Sequence, residues 1–174
     1  MLSPLEERLA DVPRWTIVRT LRRQSVAEHS FNVALIADWL CDQINPHYNP
    51  AFKYEVMRAA LLHDRKEALS GDVASPAKKF FDDEALDEHY SDKHERDAEM
   101  AQPEAMVIVK LADKIEACVF LQIEMNMGNK SVRSIHGSIW GKVAPLCYKL
   151  GGTDFVKRIH AEMRRFDEPQ DPLE

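Results

Sequence analysis

Glycine is scarce in this 174-residue chain, at 6 residues against 9 prolines, and no stretch alternates valine, isoleucine and threonine with polar residues. Turn glycines and a period of two are what hairpins need, so their shortage points to an all-α fold. Cysteine is sparse too. Cys41, Cys118 and Cys147 are odd in number, scattered and never spaced as CxxC. That excludes a disulfide framework and a thiolate metal site, and it fits a reducing cytoplasm. No apolar run reaches the roughly 20 residues that a membrane-spanning helix requires. The opening MLSPLEERLADVPRW is charged and has no apolar signal core, so no secretory leader is expected. A basic excess is also missing: 23 Lys and Arg stand against 29 Asp and Glu, a net charge of -6. That balance argues against a nucleic-acid partner or a membrane-surface binder.

What is present is ordinary for a globular domain, with 45% apolar and 30% charged residues. The length suggests a single domain over 1–174 with no internal repeat. Periodicity predicts helices over about 4–10, 26–44, 54–69, 84–100, 103–127, 132–150 and 154–166, with a frayed tail at 167–174. Ser25 and Glu28 form the pattern of a reciprocal capping box. NPHYNPAF, with two Asn-Pro pairs, reads as a loop, and Gly128 as a helix stop. Val56, Met57, Ala60 and Leu61 are expected inward on one helix, and Met106, Val109, Ala117 and Phe120 on another. A local basic cluster runs against the net charge: Arg14, Arg19, Arg22 and Arg23, with Lys78 and Lys79 further on. It is either a solvated face or an entrance for an anion.

The informative residues are those that break the apolar pattern. In RQSVAEHSFNVALIADWL, the residues Val26, Val33, Ile36 and Leu40 mark a core stripe, and His29 falls on it. LLHDRKEAL puts His63 and Asp64 on the next long helix, with Glu67 one turn beyond His63 on the same face. VKLADKIEA places Asp113 on the stripe of Met106, Val109 and Phe120. A buried carboxylate is costly unless it is paired. Each of these groups alone could be a hydrogen-bonded core residue. Together, two imidazoles and two carboxylates would satisfy one divalent cation with nitrogen and oxygen ligands.

A histidine, then a His-Asp doublet, then a distant aspartate resembles the HD-domain metal phosphohydrolases. RW at Arg14-Trp15, EHS around His29, HDxxE from His63 to Glu67 and GDxxSPxK from Gly71 to Lys78 narrow the resemblance. The set resembles the YfbR-type 5'-deoxynucleotidases and the dATP triphosphohydrolases of phages whose DNA contains 2-aminoadenine. The motif-bearing core spans about 14–120.

That resemblance implies an HD-domain helical bundle and an enzyme acting at the α-phosphorus of a 2'-deoxynucleotide. His29, His63, Asp64 and Asp113 would hold a divalent metal such as Zn2+, Co2+ or Mn2+. Glu67 would orient or deprotonate the attacking water, or help hold a second divalent ion. Asp72 would be a ligand of that second ion, or the acid for the leaving 5'-oxygen. Arg14 and Lys78 would clamp phosphate. Trp15 would pack on the deoxyribose and hinder a 2'-hydroxyl, or else be a core residue. Ile17 and Pro76 would line the base, with Ile17 equally readable as core. Arg19, Arg22 and Arg23 would serve further phosphates or a subunit contact. Arg65 and Lys66 depart from the small residues expected inside the HDxxE motif, and would face solvent, the phosphate tail or a neighbouring subunit. The resemblance further implies a cytoplasmic homo-oligomer, a dimer or hexamer. The expected reaction takes dATP to deoxyadenosine and triphosphate. The alternatives are hydrolysis of deoxynucleoside monophosphates and a catalytically silent nucleotide-binding module.

Overall fold

Ser25 Oγ accepts the Glu28 amide at 3.1 Å and so starts the long helix that carries His29. In the computed structural model, residues 4–74, 76–80 and 102–167 are described. The helices among them are α1 (Pro4–Glu7), α2 (Val26–Ile44), α3 (Pro50–Leu62), α4 (Glu67–Ser70), α5 (Pro103–Asn126), α6 (Arg133–Trp140) and α7 (Val143–Met163). Short 3-10 turns cover Arg8–Ala10, Lys78–Phe80, Lys130–Val132 and Arg164–Phe166. No strand occurs among the described residues. A lone antiparallel bridge between Pro13 and Ser25 is the nearest thing to one.

Helices α2, α3 and α5 pack on one another, and α7 closes against α2 and α5. Val33, Ala37 and Leu40 of α2, Val56 and Ala60 of α3, Ile108, Ala112 and Ile115 of α5, and Phe155 and Ile159 of α7 share one core. Each large side chain of this kind contributes on the order of 1.5–3 kcal/mol when removed from water. No helix of the described chain is long and apolar enough to cross a membrane.

Several expectations are corrected. The second Asn-Pro is not loop. Asn49 caps α3 by accepting the Phe52 amide at 2.9 Å, and Pro50 takes the first helical position, where a missing N–H costs nothing. The same helix stops at Leu62 and does not run on to 69. Arg65 N donates to Leu62 O and Glu67 N to Asp64 O, three-residue turns that break the α-helical ladder. His63 and Asp64 therefore lie in a turn, and Glu67 opens α4. The expected helix over 132–150 is broken at Gly141, and the gap expected before 154 is a kink inside α7 at Gly151 and Gly152, where φ of Gly152 is 67°. Met106 and Leu61, expected inward, are exposed. Glu28 does not close the capping box; its carboxylate meets Arg22 at 3.4 Å. The expected helix over 84–100 and nearly all of the tail lie outside the described residues.

The basic stretch between α1 and α2 is a loop pinned at both ends. Its base is closed by Arg14 N donating to Gln24 O at 2.9 Å and Val26 N to Val12 O at 3.0 Å. Its far side is held by Glu124 of α5, fully buried, which accepts the amides of Leu21 at 2.6 Å and Arg22 at 2.8 Å. Asn129 adds a bond to Arg19 O and another to Glu124. Burial pushes the Glu124 pKa up, but the bonds from Asn129 and the two amides outweigh it and leave the carboxyl below its ordinary value.

Candidate metal centre

His29 projects from the first third of α2, and nothing of it is exposed. Its Nε2 lies 3.6 Å from Asp64 Oδ2 and 3.4 Å from Asp113 Oδ1. His63 Nε2 lies 3.2 Å from the same Asp64 oxygen. Ligand atoms of His29, His63 and Asp64 all fall within 4.8 Å of one another, a spacing that one cation could span. Asp113 of α5 adjoins this group through His29 but is not one of the three whose ligand atoms share that spacing. The His63 Nδ1 sits 2.6 Å from Ala60 O, the last-turn carbonyl of α3. A carbonyl only accepts, so Nδ1 carries a proton, and Nε2 is the ring atom left to meet a cation beside the carboxylates.

Burial pushes the Asp64 carboxyl up, but the imidazoles of His63 and His29 outweigh it and hold its pKa well below the usual range. Burial likewise opposes ionisation of Asp113, and His29 and Lys114 override it. The Lys114 ammonium donates to Asp113 at 2.6 Å. For His63, burial lowers the pKa, while Asp64 and then Asp113 raise it by more.

Glu67, at the start of α4, is 7% exposed. Burial, reinforced by the charges of Asp64 and Asp72, pushes its pKa up to about 8, against the pull of Lys78 and Arg14. Lys78 Nζ stands 3.8 Å from Glu67 Oε1. Asp72 accepts the Trp15 amide at 3.0 Å, which ties the basic loop to the turn after α4. Trp15 holds φ of 63°, uncommon for any residue with a Cβ. Its ring stacks on Phe120 at 5.5 Å, and the Arg14 guanidinium lies over it at 5.6 Å. The structure thus brings together His29, His63, Asp64, Asp113, Glu67, Asp72, Arg14, Trp15 and Lys78. Ile17, 70% exposed, and the exposed Pro76 stand outside this contact network. Arg65 is buried and does not face solvent.

Six buried side-chain polar atoms lack a hydrogen-bond partner among the described residues, and four of them belong here: Arg14 Nη1, His29 Nε2, His63 Nε2 and Glu67 Oε2. Native interiors leave few such atoms, and a cluster of them signals an absent ion, water or ligand. Two imidazole nitrogens beside two carboxylates form a donor set that suits a divalent transition metal.

The sequence reading missed Glu116 and Gln24. Glu116 is 3% exposed and sits one turn beyond Asp113 on the same helix face. Its Oε2 lies 2.6 Å from His29 Nδ1, and its Oε1 accepts from Gln24 Nε2 at 2.5 Å. The signal was available: Val109, Asp113, Glu116 and Phe120 recur at steps of three and four.

The family described as YfbR-like, 5'-deoxynucleotidase YfbR-like, matches residues 4–101. The chain belongs to this YfbR-like family. Among its relatives is a dATP triphosphohydrolase of Salmonella phage PMBT28, 36% identical over 135 residues, which are 72% of this chain and 68% of that protein. The dATP triphosphohydrolase of Acinetobacter phage SH-Ab 15497 is 32% identical over 124 residues, 63% of this chain; the match spans only 61% of that relative's length. The fold is that of the cyanophage S-2L HD phosphohydrolase DatZ, solved with dA and one catalytic Zn2+ ion, at a TM-score of 0.77 and 21% identity over 95% of each chain. The all-helical HD architecture expected of a YfbR-like protein is therefore the one present.

Proposed function

We propose that the chain is a metal-dependent phosphohydrolase that attacks the α-phosphorus of a 2'-deoxynucleotide and releases the deoxynucleoside, with dATP as its substrate. The observation that carries this reading is the cluster of four buried atoms that make no hydrogen bond, on Arg14, His29, His63 and Glu67. A cation, an attacking water and a phosphate would satisfy all four. The names of the two phage relatives, and the dA and Zn2+ of the cyanophage protein, support the choice of substrate and metal.

His29, His63, Asp64 and Asp113 would hold the metal, and Glu67 and Asp72 would hold a second divalent ion if one binds. When bound, the metal supplies a water of lowered pKa and polarises a phosphoryl oxygen. Glu67, buried at the start of α4, would orient that water and take its proton. Asp72, tethered to the Trp15 amide, would either hold that second ion or, entering in its protonated form, give its proton to the departing 5'-oxygen. Arg14 forks onto the phosphate, and Lys78, half-exposed at the rim, adds a point charge. Trp15, immobilised on Phe120, packs against the deoxyribose face where a 2'-hydroxyl would intrude. Ile17 and Pro76, exposed and apolar, line the base. Phe31 and Leu35, exposed on successive turns of α2, suit a homo-oligomer, dimer or hexamer, in the cytoplasm. Sedimentation of the pure protein tests that assembly.

The family's description favours a second reading, in which monophosphates are the substrate. The test of both is to incubate the protein with dATP or dAMP and Zn2+, Co2+ or Mn2+, and to identify products by phosphorus NMR. Triphosphate with deoxyadenosine is the expected result. Intact dATP beside hydrolysed dAMP selects the second reading. No reaction with either leaves a nucleotide-binding module and overturns both.

A further inference from the structure

Behind the metal cradle runs a buried chain of three hydrogen bonds. Trp15 Nε1 donates to Gln24 Oε1 at 3.0 Å, Gln24 Nε2 donates to Glu116 Oε1 at 2.5 Å, and Glu116 Oε2 meets His29 Nδ1 at 2.6 Å. His29, Gln24 and Glu116 are each 3% exposed or less. The direction of every bond is forced. An indole N–H only donates, so Gln24 turns its carbonyl to Trp15 and its amide NH2 to Glu116. A carboxylate only accepts, so the imidazole gives its Nδ1 proton to Glu116, which reserves Nε2, the atom beside Asp64 and Asp113, for a cation. The other end of the chain is equally fixed, because Trp15 also donates its amide to Asp72 and stacks on Phe120. Arg14 Nη1, 3.8 Å from Glu116 Oε2, faces the same carboxylate.

We infer that Glu116 is a positioning residue for His29, and that Gln24 extends it into a relay coupling divalent-cation binding at His29 to the pose of the Arg14–Trp15 turn. The inference rests on the reading that His29 holds a metal. By linkage the coupling is reciprocal: whatever the cation does to the turn, a nucleotide seated on the turn does to cation affinity. The turn that receives substrate is then set by the metal even though none of its residues is a ligand.

The test needs no turnover. Zn2+ affinity is measured by competition with a chromophoric chelator, and the Trp15 indole N–H resonance is followed by NMR during Zn2+ titration, assigned by its loss in Trp15→Phe. In the wild type the Trp15 resonance is expected to shift as Zn2+ binds. Glu116→Gln should weaken Zn2+ by about 10- to 100-fold. It keeps the side-chain volume but sets one amide NH2 against another or against the imidazole N–H. Gln24→Met should keep Zn2+ binding tighter than in Glu116→Gln and abolish the Zn2+-dependent shift of Trp15. Exchanging the pair, Glu116→Gln with Gln24→Glu, restores all three bonds with the charge moved one step from His29. Trp15 should then respond to Zn2+ again while affinity stays low.

A Trp15 resonance that ignores Zn2+ in the wild type, or responds equally in Gln24→Met, overturns the relay. Unchanged Zn2+ affinity in Glu116→Gln overturns the positioning role. If Glu116→Gln does not fold, the Gln24→Met comparison still decides the relay. A wild type that binds no Zn2+ at all removes the metal reading itself, an outcome distinct from normal binding with unresponsive variants.

Discussion

Trp15 is constrained from four directions: a left-handed backbone, an amide given to Asp72, an indole N–H given to Gln24 and a stack on Phe120. Strain of this kind costs on the order of 1–3 kcal/mol and persists only where the surroundings over-determine it. Trp15→Ala should therefore erode discrimination between deoxy and ribo substrates more than it slows the preferred reaction, read as the ratio of kcat/KM for the two sugars. Around the metal the expected outcomes are graded. His63→Ala and Asp64→Ala should lose both bound metal, read by elemental analysis, and turnover. Glu67→Gln should keep the metal and lose at least about 100-fold in kcat, the usual contribution of a positioned acid or base. Full activity in Glu67→Gln would show that the attacking water is placed elsewhere. Most of this site was legible in the sequence, because His29 and Asp113 interrupt apolar stripes where a charged or polar group needs a reason. Gln24 was not legible: it precedes the helix, in a loop without periodicity, and only the bridge at Pro13 and Ser25 turns it inward.

At the scale of elements, boundaries were legible where a side chain chemically ends or starts a helix. Ser25, Gly128 and Pro103 behaved as their types dictate. Boundaries set by tertiary demand were not, and the stop after Leu62 has no Gly or Pro to announce it. Turning the chain at His63 is what lets the doublet and Glu67 converge, where a continuous helix would have kept them in a straight row. Removing the cap, Ser25→Ala, should cost about 1 kcal/mol. The kink in α7 is a second test. A Cβ on Gly151 would lie 2.6 Å from the Phe155 Cβ, and Phe155 is a fully buried core residue. Gly151→Ala should cost about 1–3 kcal/mol as overpacking, seen as a lower urea midpoint at unchanged slope.

Across the whole molecule, the three thiols report on the integrity of the core. Cys41, Cys118 and Cys147 are all buried and free. Burial, the largest influence on each, pushes their pKa values up to about 11, 12 and 11. Below pH 9 both folded and unfolded chains keep these protons. Above it the unfolded chain loses them first, so stability should fall as pH rises from 9 toward 11, by about 1.4 kcal/mol per pH unit for each thiol. Melting temperatures across that window should drop steeply in the wild type and less so in Cys147→Ala. At neutral pH the thiols should ignore alkylating reagents until the fold opens. The ligand set has a consequence of another kind. The proposed ligands, residues 29, 63, 64 and 113, come from α2, the turn after α3, and α5, so one ion held by them would tie three distant stretches of chain into closed rings. This is the topology that extracellular proteins of similar size obtain from a covalent staple. Here it would be reversible, and set by the metal supply of the compartment. At a free metal concentration 100 times the dissociation constant, the tether adds about 2.7 kcal/mol. Chelation should lower the melting temperature by several degrees, and re-addition should restore it.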